Sequence, residues 1–271
     1  MKKRFYVILA SVAVIAIAAI VINSVVAKRD SVIKQEKVPP TLFLYNQAKD
    51  LESNNEYFKA KRLYRDILEN SLDGEIAKKA QDNLTELNMK ILFSPLVTDY
   101  SVLYVVKKGD TLIGIAKRFD TTVDLIIKSN NLQSDIIRIG QRLKISTAKY
   151  SVVVDHSQNI LTLKQHEDVL KTYKVSTGIN NSTPIGIFKI INKLKDPVWY
   201  KAGAVVSSGS PENILGSRWM GLSVSGYGIH GTTEPETIGR HVTAGCVRMK
   251  EEDVRELYSI LPVGTEVTIV N

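Results

Sequence analysis

"IHGTTEPETIGRHVTAGCVRM", residues 229–249, holds Cys246, the single cysteine of a 271-residue chain, together with His230 and Arg248. A lone thiol is ordinarily a small buried hydrophobe. The neighbours of this one suggest chemistry. Cysteine attacks as its thiolate, and a nearby imidazole can take the proton or stabilise the anion. His230 stands in "GIHG", where glycines let backbone approach closely. Gly245 removes a side chain directly before Cys246, so the amides around Gly245 and Cys246 are candidate donors to a developing oxyanion. Arg248 offers a forked donor suited to a carboxylate. These residues alone fit either a nucleophilic site or an inert buried cysteine beside a hydrogen-bonded histidine.

The flanking sequence predicts the frame. "YSVVVD" and "ILTLKQ" surround "HSQN", the pattern of a hairpin, and "VLKTYKVSTG", "GIFKII" and the final "EVTIV" are further strand candidates. One helix is expected, in "EEDVRELYSIL". There Val254, Leu257, Tyr258 and Leu261 share a face, and acids occupy the first turn, where a helix favours negative charge. Short strands with one late helix predict a mainly-β domain over 149–271, a sandwich or barrel-like sheet.

The stretch 229–249, with "STGINNSTPIGIFKI" upstream, resembles the L,D-transpeptidase (YkuD-type) family. Its pattern is His-Gly, a gap, then Ser/Thr-x-Gly-Cys-x-Arg, preceded by Thr-Gly and Thr-Pro-x-Gly-x-Phe elements. The resemblance implies a YkuD-like β-sandwich with one late helix. It makes Cys246 the nucleophile, His230 the base and Gly231 the residue whose carbonyl orients that histidine. Thr243 and Gly245 would shape the pocket, and Arg248 would hold a substrate carboxylate or brace the loop. The implied reaction is attack on a peptidoglycan tetrapeptide stem with loss of D-alanine. An amine of a neighbouring stem then resolves the thioester to a 3→3 cross-link. Acylation by carbapenems is implied as well. Ala244 departs from the family, which commonly has His or Arg there. His241 is expected to be a surface bystander, and His156 and His166 structural or exposed. An L,D-carboxypeptidase using water and a non-catalytic wall-binding scaffold are the alternatives. NlpC-type peptidases place Cys before His, and sortases separate His and Cys much further, so both are disfavoured.

Upstream, residues 102–147 open with a strand that stops at Gly109. Asp110 is expected to cap a first helix, and Thr121-Thr122 a second that Asn130-Asn131 ends. A last strand covers Leu143 to Ile145. "YVVKKGDTL", "IAKRF", "NNL" and "IGQRLKI" resemble a LysM module, which implies a βααβ fold and binding of glycan strands. By that resemblance Gly109, Asp110, Thr111 and Ile137 would lie in the glycan-binding loops. For Asp110 the helix-cap role is preferred.

Residues 41–93 carry helical periodicity through Ala48, Ala60, Tyr64, Ile67, Ile76 and Ala80, broken at Asn54-Asn55 and Asp73-Gly74 into three helices. The pairing of small and large residues partly resembles a tetratricopeptide helix pair. A plain spacer and a protein-docking groove are both open. Residues 1–4 are basic at three positions, and 5–27 carry no charge over a length that suffices to cross a bilayer. The expectation is a single-pass anchor in the cytoplasmic membrane, with everything after it on the outer side. A charged tether follows over 28–40, and a second linker over 94–101.

The net charge is +8. That suits an anionic partner, but the basic residues are dispersed without a dense run, and no nucleic-acid partner is expected. One cysteine excludes an intramolecular disulfide, and the ligands for a structural zinc site are lacking. No metal or cofactor is expected.

Overall fold

The computed structural model describes residues 40–201 and 203–271. The basic end, the span expected over 5–27 and the tether as far as Pro39 lie outside the described residues. Among the described residues no helix is long and apolar enough to cross a membrane. The tether was expected to run through Pro40, but that residue begins a helix. Proline is compatible with a first helical turn because its missing N–H would have no intrahelical partner there.

The chain divides into two compact units, one ending at Asp82 and one starting at Asn83. The first contains α1 (Pro40–Ser53), α2 (Tyr57–Asn70) and the beginning of α3 (Gly74–Leu92). Asn55 adopts a left-handed φ of 61° after α1, which breaks the helical run. Asp73 Oδ1 accepts the N–H groups of Glu75 and Ile76 and so caps α3. Ala48, Ala60, Tyr64 and Ile67 are buried, the positions that carry the helical period.

The second unit begins with the end of α3. It continues through β1 (Ser101–Val105), α4 (Leu112–Arg118), α5 (Val123–Ser129) and β2 (Arg142–Ser146). The strands pair antiparallel from Ser101↔Ser146 to Val105↔Arg142. Leu112, Ile115, Ala116, Ile126, Leu143 and Ile145 close a small core beneath the helices. Thr122 caps α5 by accepting the Leu125 N–H. The cap of α4 is Thr111, whose hydroxyl accepts from Gly114, and not Asp110. Asp110 is drawn backwards instead: Oδ2 accepts the Lys107 N–H and the Tyr104 hydroxyl, each at 2.7 Å. The Lys107 N–H, then the Tyr104 hydroxyl, hold its carboxyl below the usual range. Lys144, 3% exposed, donates Nζ to the carbonyls of Ile91 and Ser94 at 2.8 Å. This fastens β2 to the end of α3, where carbonyls lack intrahelical partners.

The rest of the unit is mainly β. Its strands are β3 (Tyr150–Asp155), β4 (Ile160–Gln165), β5 (Asp168–Lys174), β6 (Thr177–Gly178), β7 (Gly186–Lys195), β8 (Trp199–Lys201), β9 (Ala204–Val206), β10 (Arg218–Leu222), β11 (Gly228–His230), β12 (His241–Thr243), β13 (Val247–Arg248) and β14 (Glu266–Val270). Eight of them form one sheet in the order β13-β11-β10-β7-β14-β3-β4-β5. A β-sandwich was expected; the ladder is instead one continuous sheet, accompanied by the two-stranded pairs β12-β6 and β8-β9. The ten-residue β7 pairs with β14 near its start (Lys189↔Glu266) and with β10 near its end (Lys195↔Arg218). The helix α6 (Glu251–Ile260) contributes Val254, Leu257, Tyr258 and Ile260 to a core shared with Val152, Leu161, Ile190 and Val267. Leu125 of α5 enters the same core, and Thr122 donates to the Ser259 carbonyl. The βααβ module is thereby packed onto the β domain.

Candidate active site

The strands β11 and β13 run parallel, with Ile229↔Val247 and His230↔Arg248 in register. Side chains two residues apart on a strand share a face. Cys246 and Arg248 therefore project on the side that His230 occupies. All three line one cavity of about 580 Å³, together with Trp199, Tyr200, Trp219 and Ala244. The two walls are locked from outside: Met249 N–H donates to the His230 carbonyl at 2.8 Å, and Arg248 exchanges two backbone hydrogen bonds with Ser176.

The turn that presents the thiol is built by three residues. Thr243 donates its hydroxyl to the Cys246 carbonyl at 2.7 Å and accepts the Gly245 N–H at 3.1 Å. The Gly245 amide is thus engaged inside the loop, and of the two amides proposed from the sequence only that of Cys246 remains a candidate oxyanion donor. Gly245 is required for a different reason. Its φ is +132°, and a Cβ there would lie 2.5 Å from the Tyr227 ring and 2.7 Å from the Ser182 carbonyl oxygen.

His230 is buried and donates Nδ1–H to the Gly231 carbonyl at 2.7 Å. In a neutral ring that leaves the acceptor lone pair on Nε2. Burial, aided by the Arg248 charge and opposed by the Gly231 and Ile214 carbonyls, lowers its pKa to about 4. The Cys246 thiol is half-buried and points to the Gly226 carbonyl at 3.7 Å. Burial raises its pKa above the ordinary value, against a Gly228 backbone hydrogen bond and the Arg248 charge. At neutral pH the pair is therefore thiol and imidazole, not thiolate and imidazolium.

Of the two roles considered for Arg248, the geometry displays bracing. Its Nη1 donates to Glu234 Oε2 at 2.7 Å and Thr237 Oγ1 at 3.1 Å, while its buried Nε has no hydrogen bond. His241 is exposed, as expected, yet it is no bystander. Thr177 donates its hydroxyl to Asn159 and accepts from His241 Nδ1 at 2.8 Å, pinning β12 to β6 directly before the Cys246 turn. His156 is buried and tilts against the His241 ring. His166 stacks on Tyr100.

In the small module, Gly109 takes a left-handed φ of 86° beside the Asp110 turn, and Thr111 serves as the cap. Ile137 is partly buried against the module's core. The neighbouring Ile136 and Ile139 are 78% and 71% exposed and line a depression with Ser134, Arg138 and Gln141. The structure does not bring Gly109, Asp110 or Thr111 into that lining, and Ile137 turns inward onto the module's apolar core.

Residues 149–269 match the family model of the YkuD L,D-transpeptidase catalytic domain, and residues 104–146 match that of the LysM domain. The chain is 38% identical over 173 residues to the Bacillus subtilis (strain 168) protein named L,D-transpeptidase YkuD, covering 61% of this chain and 97% of that one. The chain belongs to the YkuD family of L,D-transpeptidases. A Bacillus licheniformis protein of the same name is 36% identical over 176 residues, covering 62% of this chain and 98% of its own. The solved catalytic domain of an Enterococcus faecium L,D-transpeptidase aligns with a TM-score of 0.38 at 22% identity, covering 45% of this chain and 97% of that chain.

Several cavity residues of this YkuD domain were missed in the sequence, among them Trp199, Tyr200 and Trp219. Trp219 on β10 is in register with His230, and its ring stacks on the imidazole at 6.0 Å between centroids. The available signal was "SRWMGL", an aromatic in a strand that a short turn returns to "GIH".

Proposed function

We propose that this chain is a peptidoglycan L,D-transpeptidase in which Cys246 is the nucleophile and His230 the general base. The carrying observation is the single cavity that the Cys246 thiol and the His230 imidazole both line, with Nδ1 fixed on Gly231. As Sγ attacks the carbonyl carbon before the terminal D-alanine, Nε2 takes its proton and returns it to the departing amine. D-Alanine leaves and a thioester remains. An amine of a second stem attacks that carbonyl, His230 again takes the proton and passes it to Sγ, and the cross-link is complete. Water in place of the amine gives the carboxypeptidase alternative. Product analysis with disaccharide-tetrapeptide separates the two: a dimer supports transpeptidation, and a tripeptide as sole product overturns it.

The two groups set the rate–pH profile. The active form needs neutral His230 and protonated Cys246, so the acid limb of kcat/KM falls near pH 4, well below an ordinary histidine. A plateau extends through neutrality. An acid limb near pH 6.5 would instead mean that the imidazole is exposed to water in the working enzyme. The same shift makes the fold lose stability as pH drops from about 6.5 towards 4, because the unfolded chain then binds the proton first.

The LysM match supports attachment to glycan strands, and the exposed Ile136 and Ile139 are the residues proposed to touch the sugar rings. Ile136→Ser with Ile139→Ser should reduce sedimentation with purified sacculi several-fold, while turnover of soluble muropeptide stays constant. Equal loss of both would make the depression a structural feature. The uncharged stretch 5–27 behind a basic end supports a single-pass anchor that keeps the enzyme at the outer side of the cytoplasmic membrane. Anchor and glycan binder together raise the local concentration of stems without adding a contact at the active site. The helices of the first unit are proposed as spacer or docking element.

A further inference from the structure

A carboxylate stands behind His230. Glu251 opens α6, and its Oε1 accepts the backbone N–H groups of Thr232 and Ser217, each at 3.1 Å. Its Oε2 faces Ser217 N–H at 3.3 Å and Arg255 Nη2 at 3.4 Å. The Thr232 N–H and the Gly231 carbonyl belong to one peptide group, whose two ends point in opposite directions. That carbonyl is the acceptor of His230 Nδ1–H. Carboxylate, peptide and imidazole therefore form one unbroken line of hydrogen bonds.

The place is shaped for the carboxylate. A Cβ on Gly216 or on Gly231 would collide with Glu251 Oε1, and Gly216 has a left-handed φ of +63°. Two glycines thus open the backbone so that a side-chain oxygen can reach it. Arg255 closes the far side, donating Nε to Ser217 Oγ at 2.8 Å. Gly231 and Thr232 are buried, so little water competes along the line. Hydrogen bonds in series polarise one another where the dielectric is low.

We infer that Glu251 is a positioning residue for the His230 base: through the 231–232 peptide it fixes the Nδ1–H tautomer and strengthens Nε2 as acceptor of the Cys246 proton. The inference rests on the proposed roles of Cys246 and His230. It gives the site the logic of a nucleophile, a base and an orienting acid, with one peptide group inserted between the last two. Acids in a first helical turn also complement the helix dipole. Glu252 and Asp253 do only that, whereas Glu251 is turned onto the backbone of two other segments. Other charged or titratable groups that line the cavity with the imidazole are Tyr200, Cys246 and Arg248, the last paired with Glu234. Arg255 is the one that faces Glu251.

The test uses the full chain with Glu251→Gln, which keeps the length and an acceptor oxygen but removes the charge. The expected result is a kcat lower by about tenfold or more, the scale for an orienting partner behind a reacting group, with KM and melting temperature close to the parent. The proton resonance of His230 Nδ1–H, recorded in 15N-labelled protein, should move upfield as its hydrogen bond weakens. Recording it also in the Cys246→Ala background separates the two claims. Turnover by Cys246→Ala overturns the catalytic roles, while the resonance still reports on the Glu251 line. Parent kcat with an unmoved resonance overturns the inference, and so does a loss that only follows the folded fraction. If Glu251→Gln does not fold, Glu251→Asp serves: the shortened side chain retreats from Thr232, and an unchanged kcat and resonance would equally overturn it.

Discussion

Cys246→Ala reduces turnover of disaccharide-tetrapeptide to background, and the full-length variant gains no mass on exposure to a carbapenem that adds one adduct to the parent. The size of the effect follows from the absence of a substitute. The chain has no second cysteine. The cavity offers no other nucleophile placed like the thiol, and removing the nucleophile of such a system costs about 10⁴- to 10⁶-fold in kcat. The substitution is also structurally light. Sγ is half-buried, and its contact with the Gly226 carbonyl at 3.7 Å is a weak sulfur hydrogen bond. The turn itself is held by the Thr243 hydroxyl and by backbone, neither of which the variant touches. Binding to sacculi should therefore remain at the parental level, because the LysM match ends at residue 146. Retained cross-linking in Cys246→Ala would remove the thiol from the mechanism. Loss of both turnover and binding would show that the variant had lost its fold.

The sequence reveals those parts of the molecule whose information is local. Val152 and Val154 alternate with half-buried residues on β3, Leu161 and Leu163 do the same on β4, and Val254, Leu257 and Tyr258 recur on α6. Period alone identifies these elements. Cys246 and His230 are legible because the motif around them is dense. Residues whose task is set from a distance are not. Gly245 suggests a free amide, yet Thr243 takes that amide, and the reason for a glycine there shows only when Tyr227 and Ser182, remote in sequence, are seen to exclude a Cβ. Glu251 suggests a helix-dipole partner until Thr232 and Ser217 are seen to donate to it. Trp219 acquires its meaning from the register that sets it opposite His230. Short loops fail for another reason. The shift of the α4 cap from Asp110 to Thr111, and the inward turn of Ile137 beside the exposed Ile136 and Ile139, are one- or two-residue rotations that no periodicity constrains.

Gly245→Ala tests whether the turn before the thiol is as constrained as it looks. Two penalties add. The first is conformational: φ of +132° is a region that an L side chain rarely adopts, costing about 1–3 kcal/mol where it is enforced. The second is steric. The new methyl would meet the Tyr227 ring at 2.5 Å, and it would meet the Ser182 carbonyl oxygen at 2.7 Å. The ring can turn aside more readily than the backbone oxygen, whose loop is tied on both sides: Ser182 N–H donates to the Ile179 carbonyl, and Thr183 Oγ1 accepts the Gly178 N–H. The chain relieves the clash by moving the Cys246 turn, and a displacement of about 1 Å at a reacting atom costs roughly a hundredfold in rate. The expected result is a kcat loss of that order with a clear fall in melting temperature, read from thermal unfolding and carbapenem acylation rate. The double variant Gly245→Ala with Tyr227→Ala divides the causes. Because Tyr227 contributes only the yielding part of the clash, most of the loss should persist in it. Full recovery would mean that the ring alone excludes a side chain at position 245 and that the backbone there is free to take another conformation.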